Sequence, residues 1–307
     1  WIIKTKTILM KNNSIAVIGA GKWGQALHFA LSQKQKVLIT SRTKKEIENF
    51  VDLKTALECK YLIIAIPAQE IRSWLKENFV FNGQKILVAS KGIEASTGQF
   101  LNEIYADFVP EKNIGFISGP SFATEVRQGL PCALVINSNS KKLFEEFSPF
   151  FPNFIKTYYS SDVIGAEVAG AYKNVLAIAS GICEGLNLGK NAQASLIARG
   201  LVEMERFGKF FGSKKSTFLG LSGAGDLFLT ANSTMSRNYR VGLGLASNKN
   251  LEDILIELGE VAEGIKTAEA IHNLSIKYNI YTPIANEVNL ILNGKSPKDS
   301  LKDLLKH

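Results

Sequence analysis

The sequence predicts an α/β protein in two parts: an N-terminal, mostly parallel sheet covered by helices, and an all-helical C-terminal domain. Short apolar runs alternate with helical patterns up to about residue 161, whereas strand-like runs are almost absent from residue 162 onward. The chain has 307 residues, 46% of them hydrophobic, and is longer than a single core usually grows. We therefore expect two domains, residues 1–161 and residues 162–307.

The predicted strands are continuous apolar runs. Such runs indicate strands buried on both faces, which is typical of a parallel sheet covered by helices. The runs span residues 15–18, 37–40, 61–66, 86–89, 114–117 and 133–136. In the second half, the glycines and alanines that crowd residues 165–179 predict a long helix that its neighbours approach on all sides.

Composition excludes several classes of protein. No run approaches the roughly 18 apolar residues of a membrane-spanning helix, and no signal-peptide pattern is present, so we expect a cytoplasmic protein that is not embedded in a membrane. The formal charge of +8 is spread along the chain, which argues against a nucleic-acid partner. Three scattered cysteines indicate neither disulfides nor a metal site. Met10 is interpreted as the natural start, with residues 1–9 an addition.

A glycine-rich motif follows the first predicted strand and opens a helix. Gly19 permits a tight turn, Gly21 lets the backbone approach a pyrophosphate, and Gly24 allows the helix to pack closely on the strand. The strand, the glycines and the helix together predict a Rossmann-type site for NAD or NADP. Trp23 is expected to lie over the diphosphate, with core packing as the alternative.

Arg42 follows the second predicted strand, where sites that prefer NAD usually carry an acidic residue. An arginine offers a planar cation to the 2′-phosphate of NADP. The sequence therefore favours NADP over NAD, and an ordinary surface arginine is the alternative.

Two lysines are the candidate groups for chemistry, since ketone reduction by hydride needs a proton donor. Lys91 follows the strand at residues 86–89, at the sheet edge where nicotinamide and substrate would meet. Lys173 lies within the small-residue helix, where a charge is costly unless it faces a cleft or a partner. Burial and a second cation would lower its pKa towards neutrality, although a structural ion pair is the alternative. No recognisable site accompanies His28, His272 or His307.

A third cluster predicts a phosphate site. Ser236 can cap a helix whose free N–H groups, with the guanidinium of Arg237, would converge on one anion. Asp226 could hold the Lys173 ammonium or a substrate hydroxyl, and capping the following helix is an open alternative.

These motifs together resemble the bacterial NAD(P)-dependent glycerol-3-phosphate dehydrogenases, over nearly the whole chain from residue 15. The resemblance implies a 6-phosphogluconate dehydrogenase-like arrangement of a Rossmann domain and a helical domain. We expect a homodimer through the helical part. The matching stretches are residues 19–24, 90–94, 118–123, 170–174, 220–226, 236–238 and 261–264.

The resemblance implies an oxidoreductase that reversibly reduces dihydroxyacetone phosphate to sn-glycerol 3-phosphate for phospholipid synthesis. In that family the lysine matching Lys173 donates or accepts the proton. The positions implied to contact substrate are Lys91, Gly119, Ser121, Lys173, Asp226, Ser236, Arg237 and Asn238. The positions implied to contact the dinucleotide, besides the three glycines, are Lys22, Trp23, Arg42, Lys91, Ala123, Arg237, Val261 and Glu263.

The chain departs from the family pattern at Lys22, which is commonly a small residue such as serine; its charge would strengthen diphosphate binding. Two other functions compete. β-Hydroxyacid and 6-phosphogluconate dehydrogenases have a similar architecture, but residues 118–123 favour the glycerol phosphate family. A redox sensor that binds a dinucleotide without turnover would need a partner-binding surface, which the sequence does not indicate.

Overall fold

A computed structural model describes residues 11–304, with side chains from Ser14 onward. Residues 1–9, interpreted above as an addition, and His307 lie outside the described residues. The described strands are β1 Lys11–Ile18, β2 Val37–Thr40, β3 Cys59–Ile64, β4 Lys85–Val88, β5 Ile114–Ser118, β6 Cys132–Asn137 and β7 Ile155–Ser160.

The described strands form one sheet in the order β2-β1-β3-β4-β5-β6-β7. Every neighbouring pair is parallel except β5 and β6. Alternate residues of β1 enter separate hydrophobic clusters, Ile15 and Val17 in one and Ala16 and Ile18 in the other, because successive side chains point to opposite faces. The predicted sheet, mostly parallel and covered on both faces, is confirmed.

Details of the sheet differ from the prediction. The run at 133–136 lies in β6 and is antiparallel to β5, because apolar character reports the burial of a strand and not its direction. The prediction omits β7, in which Lys156 and Thr157 interrupt the apolar pattern because this edge strand is partly exposed. β3 ends at Ile64, so residues 65 and 66 lie beyond it.

Helices in the first half cover the sheet, and those in the second half form a separate layer around one central helix. The first set is α1 Lys22–Ser32, α2 Leu53–Leu57, α3 Ile71–Asn78, α4 Leu101–Ala106, α5 Ala123–Arg127 and α6 Lys141–Phe147. The second set is α7 Val163–Gly185, α8 Lys190–Phe210, α9 Lys215–Leu219, α10 Asp226–Ala231, α11 Arg237–Ala246, α12 Leu251–Leu258, α13 Glu263–Tyr278, α14 Pro283–Leu292 and α15 Pro297–Leu304.

The long helix α7 is buried along nearly its whole length, as its small residues predict. A Cβ at Gly181 would lie 2.1 Å from Tyr239 O, and one at Gly242 would lie 2.1 Å from Ile178 O. The backbones of α7 and α11 therefore touch at these glycines. This close packing fixes the start of α11 relative to the middle of α7.

The two halves of the chain share a hydrophobic core. Ile93 and Phe100, which follow β4, belong to the cluster formed by the C-terminal helices. The contact brings the end of β4 against α7. In the described part of the chain, no helix is both long and apolar enough to cross a membrane.

Candidate active site

The glycine-rich loop joins β1 to α1 and leaves the start of that helix open. Gly19 has a φ of +107°, and its N–H donates to Thr40 O at 2.8 Å, which ties the loop to the end of β2. A Cβ at Gly24 would lie 1.8 Å from Gly19 O, so a larger residue would push the helix off the loop. A Cβ at Gly21 would meet nothing within 4 Å, and no side chain caps α1. The first N–H groups of α1 are therefore open to an anion.

The other predicted cofactor residues near this loop differ in exposure. Lys22, the first residue of α1, is exposed and forms an ion pair with Glu260. Trp23 is partly buried and packs against the hydrophobic cluster on that face of the sheet, as its alternative interpretation requires. Arg42 is exposed, two residues beyond the end of β2.

Lys91 lies in a turn after β4 that is fixed from both sides. Arg72 on α3 binds Glu94 through Nε and Nη2 at 2.8 to 3.0 Å, which anchors the turn to the sheet domain. The aliphatic stem of Lys91 packs on α7, where a Cβ at Gly170 would lie 3.4 Å from its Cγ and Cδ atoms. The turn thereby holds Lys91 between the sheet edge and the central helix.

The centre of the site is one carboxylate between two ammonium groups. Lys173 Nζ donates to Asp226 Oδ1 at 2.7 Å, and Lys91 Nζ donates to Asp226 Oδ2 at 2.6 Å. Lys173 also donates to Thr230 Oγ1 at 3.0 Å. Lys173 is 8% exposed and Asp226 is 2% exposed, so the pair is largely removed from water. The structure thus brings together three residues predicted from sequence: Lys91 from the turn after β4, Lys173 from α7 and Asp226 from α10.

Burial and charge set the protonation states of this cluster. Burial lowers the pKa of Lys173 to about 8; the charge of Lys91 acts in the same direction, and Asp226 opposes both. Burial alone would raise the pKa of Asp226, but the two ammonium groups outweigh it and hold that pKa below its ordinary value. Asp226 therefore remains a carboxylate at neutral pH, while Lys173 can release and regain a proton near neutrality.

The predicted phosphate site lies at the start of α11. Ser236 caps this helix, its Oγ accepting from Tyr239 N at 3.3 Å, as predicted from the local sequence. Arg237 is exposed, and its Nη1 donates to Glu260 Oε2 at 3.1 Å. Asn238 is buried, and its Oδ1 accepts from Gly264 N at 3.0 Å. Asn238 therefore couples α11 to α13, whereas Arg237 presents its charge at the surface.

Glu263 lies near cations of both the predicted phosphate site and the lysine cluster. It is the first residue of α13; burial raises its pKa, and the nearby charges of Arg237, Lys173 and Lys91 oppose that effect. All three cations therefore lie within electrostatic range of one carboxylate. Val261, two residues earlier, is 62% exposed.

The segment after β5 lies at the same edge of the sheet as Lys91, because β4 and β5 are parallel. Gly119 has a φ of +114°, and a Cβ there would lie 2.8 Å from Ala133 O, so this turn requires glycine. Ser121 Oγ donates to Gly119 O at 3.2 Å. Ala123 is the first residue of α5 and is partly buried. Within the described residues, no hydrogen bond or ion pair joins Gly119, Ser121 or Ala123 to Lys91 or Lys173.

The sequence prediction missed Thr230 and Glu260. Thr230 lies four residues after Asp226 on α10, one helical turn away, and this spacing could have identified it. Glu260 binds both Lys22 and Arg237, which are separated by more than two hundred residues in the chain. No local pattern signals such a contact.

The two histidines in the described part of the chain are engaged away from this cluster. His28 Nε2 lies 3.0 Å from Val37 O, and His272 Nδ1 lies 3.1 Å from Asn286 Oδ1. Lys173 is thus the group whose burial, partners and lowered pKa suit proton transfer near neutral pH. The open start of α1 and the cations around Glu263 suit phosphate-bearing ligands.

Two family models match the chain. Residues 41–144 match "NAD-dependent glycerol-3-phosphate dehydrogenase N-terminus", and residues 162–302 match "NAD-dependent glycerol-3-phosphate dehydrogenase C-terminus". Together they cover most of the sheet domain and nearly all of the helical part.

Individual proteins are similar over almost the full length. The glycerol-3-phosphate dehydrogenase [NAD(P)+] of Sulfurimonas denitrificans is 62% identical over 95% of this chain and 99% of its own. That of Campylobacter jejuni, serotype O:6, is 61% identical over 95% of this chain and 98% of its own. The crystal structure of glycerol-3-phosphate dehydrogenase from Coxiella burnetii has a TM-score of 0.87 and is 33% identical, covering 96% of this chain and 99% of its own.

Proposed function

The chain belongs to the NAD-dependent glycerol-3-phosphate dehydrogenase family, and from this premise we propose the reaction, the roles of its residues and its cellular setting. The enzyme is an oxidoreductase that reversibly reduces dihydroxyacetone phosphate to sn-glycerol 3-phosphate with NADPH or NADH. The product is the backbone from which phospholipids are built. The observation that carries the proposal is the buried Lys173–Asp226–Lys91 cluster, at the same edge of the sheet as the open dinucleotide loop.

The loop fits a dinucleotide diphosphate. The position above Gly21 is open and the first N–H groups of α1 have no side-chain cap, so they can donate to phosphate oxygens. Lys22 and Trp23 flank this anion site, and Gly19 and Gly24 shape it. When bound, the dinucleotide supplies the hydride that reduces the substrate carbonyl carbon.

Lys173 completes the reduction. The Lys173 ammonium would give its proton to the carbonyl oxygen of the substrate as that oxygen gains negative charge, which leaves a neutral amine and the product hydroxyl. Asp226 holds Lys173 in place at 2.7 Å, and Lys91 holds the other oxygen of Asp226 while its charge favours the alkoxide that develops. In the oxidation direction the neutral Lys173 takes the proton back.

The substrate phosphate binds at the start of α11. Arg237 and the N-terminal N–H groups that follow the Ser236 cap supply the donors. Asn238 sets the spacing between α11 and α13. The remaining residues proposed to face the substrate are Gly119 and Ser121.

The cofactor site extends across both halves of the chain, and NADP is the preferred form. Arg42 is proposed to face the adenosine end, where nothing acidic follows β2 directly. The residues proposed to reach the diphosphate and nicotinamide end are Lys91, Ala123, Arg237, Val261 and Glu263.

We place the domain boundary between residues 161 and 162, since β7 ends at Ser160 and α7 begins at Val163. The enzyme is proposed to work in the cytoplasm as a homodimer, on small-molecule substrates and without a nucleic-acid partner. The lysines are spread along the chain, with no block of consecutive basic residues of the kind that binds a nucleic-acid backbone, which supports the absence of a nucleic-acid partner.

Steady-state assays of NADPH oxidation test the reaction. Dihydroxyacetone phosphate is expected to support turnover, and a 3-oxo acid is not. Turnover of the 3-oxo acid alone would instead indicate the activity of a β-hydroxyacid dehydrogenase. Tight NADPH binding without turnover of any ketone would instead indicate a redox sensor.

A further inference from the structure

Lys45 reaches the glycine loop from the segment that follows β2. Its Nζ donates to Ala20 O at 2.7 Å, although the two residues are 25 positions apart. The same carbonyl accepts from Gln25 Nε2 at 2.9 Å. Two donors therefore fix the carbonyl of Ala20, and the Lys45 ammonium is held beside the loop.

The charge of Lys45 is not neutralised within the described residues. No carboxylate there lies within ion-pair distance of its ammonium group, and Glu46, the next residue, makes no pair with it. An ammonium has three N–H donors, and Ala20 O uses one. The remaining donors are available to an anionic ligand at the loop.

The place of Lys45 coincides with the adenosine end of a Rossmann-type site. Adenosine ribose lies next to the end of the second strand in such sites. The Gly19 N–H binds Thr40 O at 2.8 Å, so the loop and the end of β2 are adjacent, and Lys45 spans them. The ribose 2′-position of NADP carries a phosphate, whereas that of NAD carries a neutral hydroxyl.

We propose that Lys45, anchored on Ala20 O, binds the 2′-phosphate of NADP and sets the preference for NADP over NAD. This assignment rests on the proposed function in one respect, that the site binds a dinucleotide. Arg42, the residue favoured from sequence, and Lys45 are both exposed, and ordering either side chain costs conformational entropy. Lys45 has met part of that cost through its bond to Ala20.

Comparing the binding of NADPH with that of NADH distinguishes binding of the 2′-phosphate from two other roles that Lys45 could have. A lysine that only steadied the loop, or that bound the diphosphate, would act on NADPH and NADH alike, since both have a diphosphate. A lysine that binds the 2′-phosphate acts on NADPH alone. The ratio of the two dissociation constants is therefore the informative quantity.

Titration of intrinsic tryptophan fluorescence with NADPH and with NADH, in the absence of substrate, measures both constants. In Lys45→Met the Kd for NADPH is expected to rise about tenfold, the typical loss for one charge-assisted hydrogen bond, with the Kd for NADH changing less than about twofold. The matched control is Lys44→Met, one residue away and exposed, which is expected to leave both constants unchanged. Should Lys45→Met not fold, Lys45→Gln removes the same charge and is expected to show the same selective loss.

Equal weakening of both cofactors, or no change in the Kd for NADPH, would overturn the proposal. An equal effect from Lys44→Met would also overturn it, because the loss would then reflect overall charge. The titrations contain no ketone, so they remain interpretable even if dihydroxyacetone phosphate is not the substrate. Conversely, if Lys45→Met shows normal turnover and an unaltered ratio of the Kd for NADPH to the Kd for NADH, the role of Lys45 is rejected and the proposed function stands.

Discussion

Lys173 Nζ lies 2.7 Å from Asp226 Oδ1, and both residues are almost completely buried. The second oxygen of Asp226 accepts from Lys91, so a single carboxylate serves two cations. The cluster therefore has two positive charges and one negative charge. The two ammonium groups repel one another, and burial disfavours their charged forms, so the pKa of Lys173 is lowered. The result is a lysine with a pKa of about 8, suited to proton transfer.

Asp226→Asn should shift the pH profile of the enzyme to lower pH. The carboxylate of Asp226 raises the pKa of Lys173, so its removal leaves burial and Lys91 to lower that pKa further. The pH dependence of kcat/KM for ketone reduction measures the shift. Thr230→Val, which removes a neutral acceptor of Lys173, is the control and should move the midpoint less. An unmoved midpoint in Asp226→Asn would show that Asp226 does not set the titration of the proton donor.

The pH dependence should be opposite in the two reaction directions. In the proposed mechanism, reduction needs the Lys173 ammonium, which predominates below its pKa of about 8, so kcat/KM should be level below that pH and fall above it. Oxidation needs the neutral amine and should rise over the same range. Initial rates in both directions, measured at saturating cofactor from pH 6 to pH 10, about two units either side of that pKa, check this. Parallel profiles would point to a different titrating group.

Two alanine substitutions in the glycine loop should have contrasting effects. A Cβ at Gly21 meets nothing within 4 Å, so Gly21→Ala should fold normally but bind NADPH poorly, because the methyl occupies the space of the diphosphate. A Cβ at Gly24 would lie 1.8 Å from Gly19 O, so Gly24→Ala should lower the free energy of unfolding by roughly 2 kcal/mol or more. Thermal unfolding and NADPH titration distinguish the two. Unchanged NADPH binding in Gly21→Ala would show that the open space is not the cofactor site.

Glu260→Gln should strengthen NADPH binding at low salt. Glu260 pairs with Lys22 and Arg237, both proposed to bind phosphate groups, and would therefore compete with the cofactor for these cations. The pair is partly exposed, so the expected fall in Kd is about twofold to fivefold and should vanish in concentrated salt. Glu257→Gln, which removes the exposed partner of Lys249, is the matched control and should have no effect. Weaker binding in Glu260→Gln would mean that Glu260 supports the cofactor.

The sequence predicted the features that depend on local pattern. Apolar runs identified six of the seven described strands, and small residues identified α7, because burial on all sides leaves a compositional signature. The glycine loop and the Ser236 cap follow from backbone geometry that few residue types permit. β7 was not predicted, because an edge strand that is partly exposed has no continuous apolar run.

Contacts between segments that are distant in the chain could not be predicted from the sequence. Composition around Lys173 indicated that it needed a cleft or a partner, and pairing with Lys173 was one of the roles left open for Asp226. Nothing local indicated that Lys45 would reach Ala20, or that Glu260 would join Lys22 to Arg237. Such contacts arise from how the helices pack, which a single sequence does not encode in any short pattern.

Turnover and NADPH binding by Lys173→Met, measured on the same preparation, test the central claim most directly. The substitution keeps the side-chain volume but removes the proton donor, so kcat for reduction of dihydroxyacetone phosphate should fall by about a thousandfold while the Kd for NADPH stays within about twofold. Lys190→Met, at an exposed ion pair on α8, should leave both unchanged. Retention of most of the wild-type kcat by Lys173→Met would contradict the account.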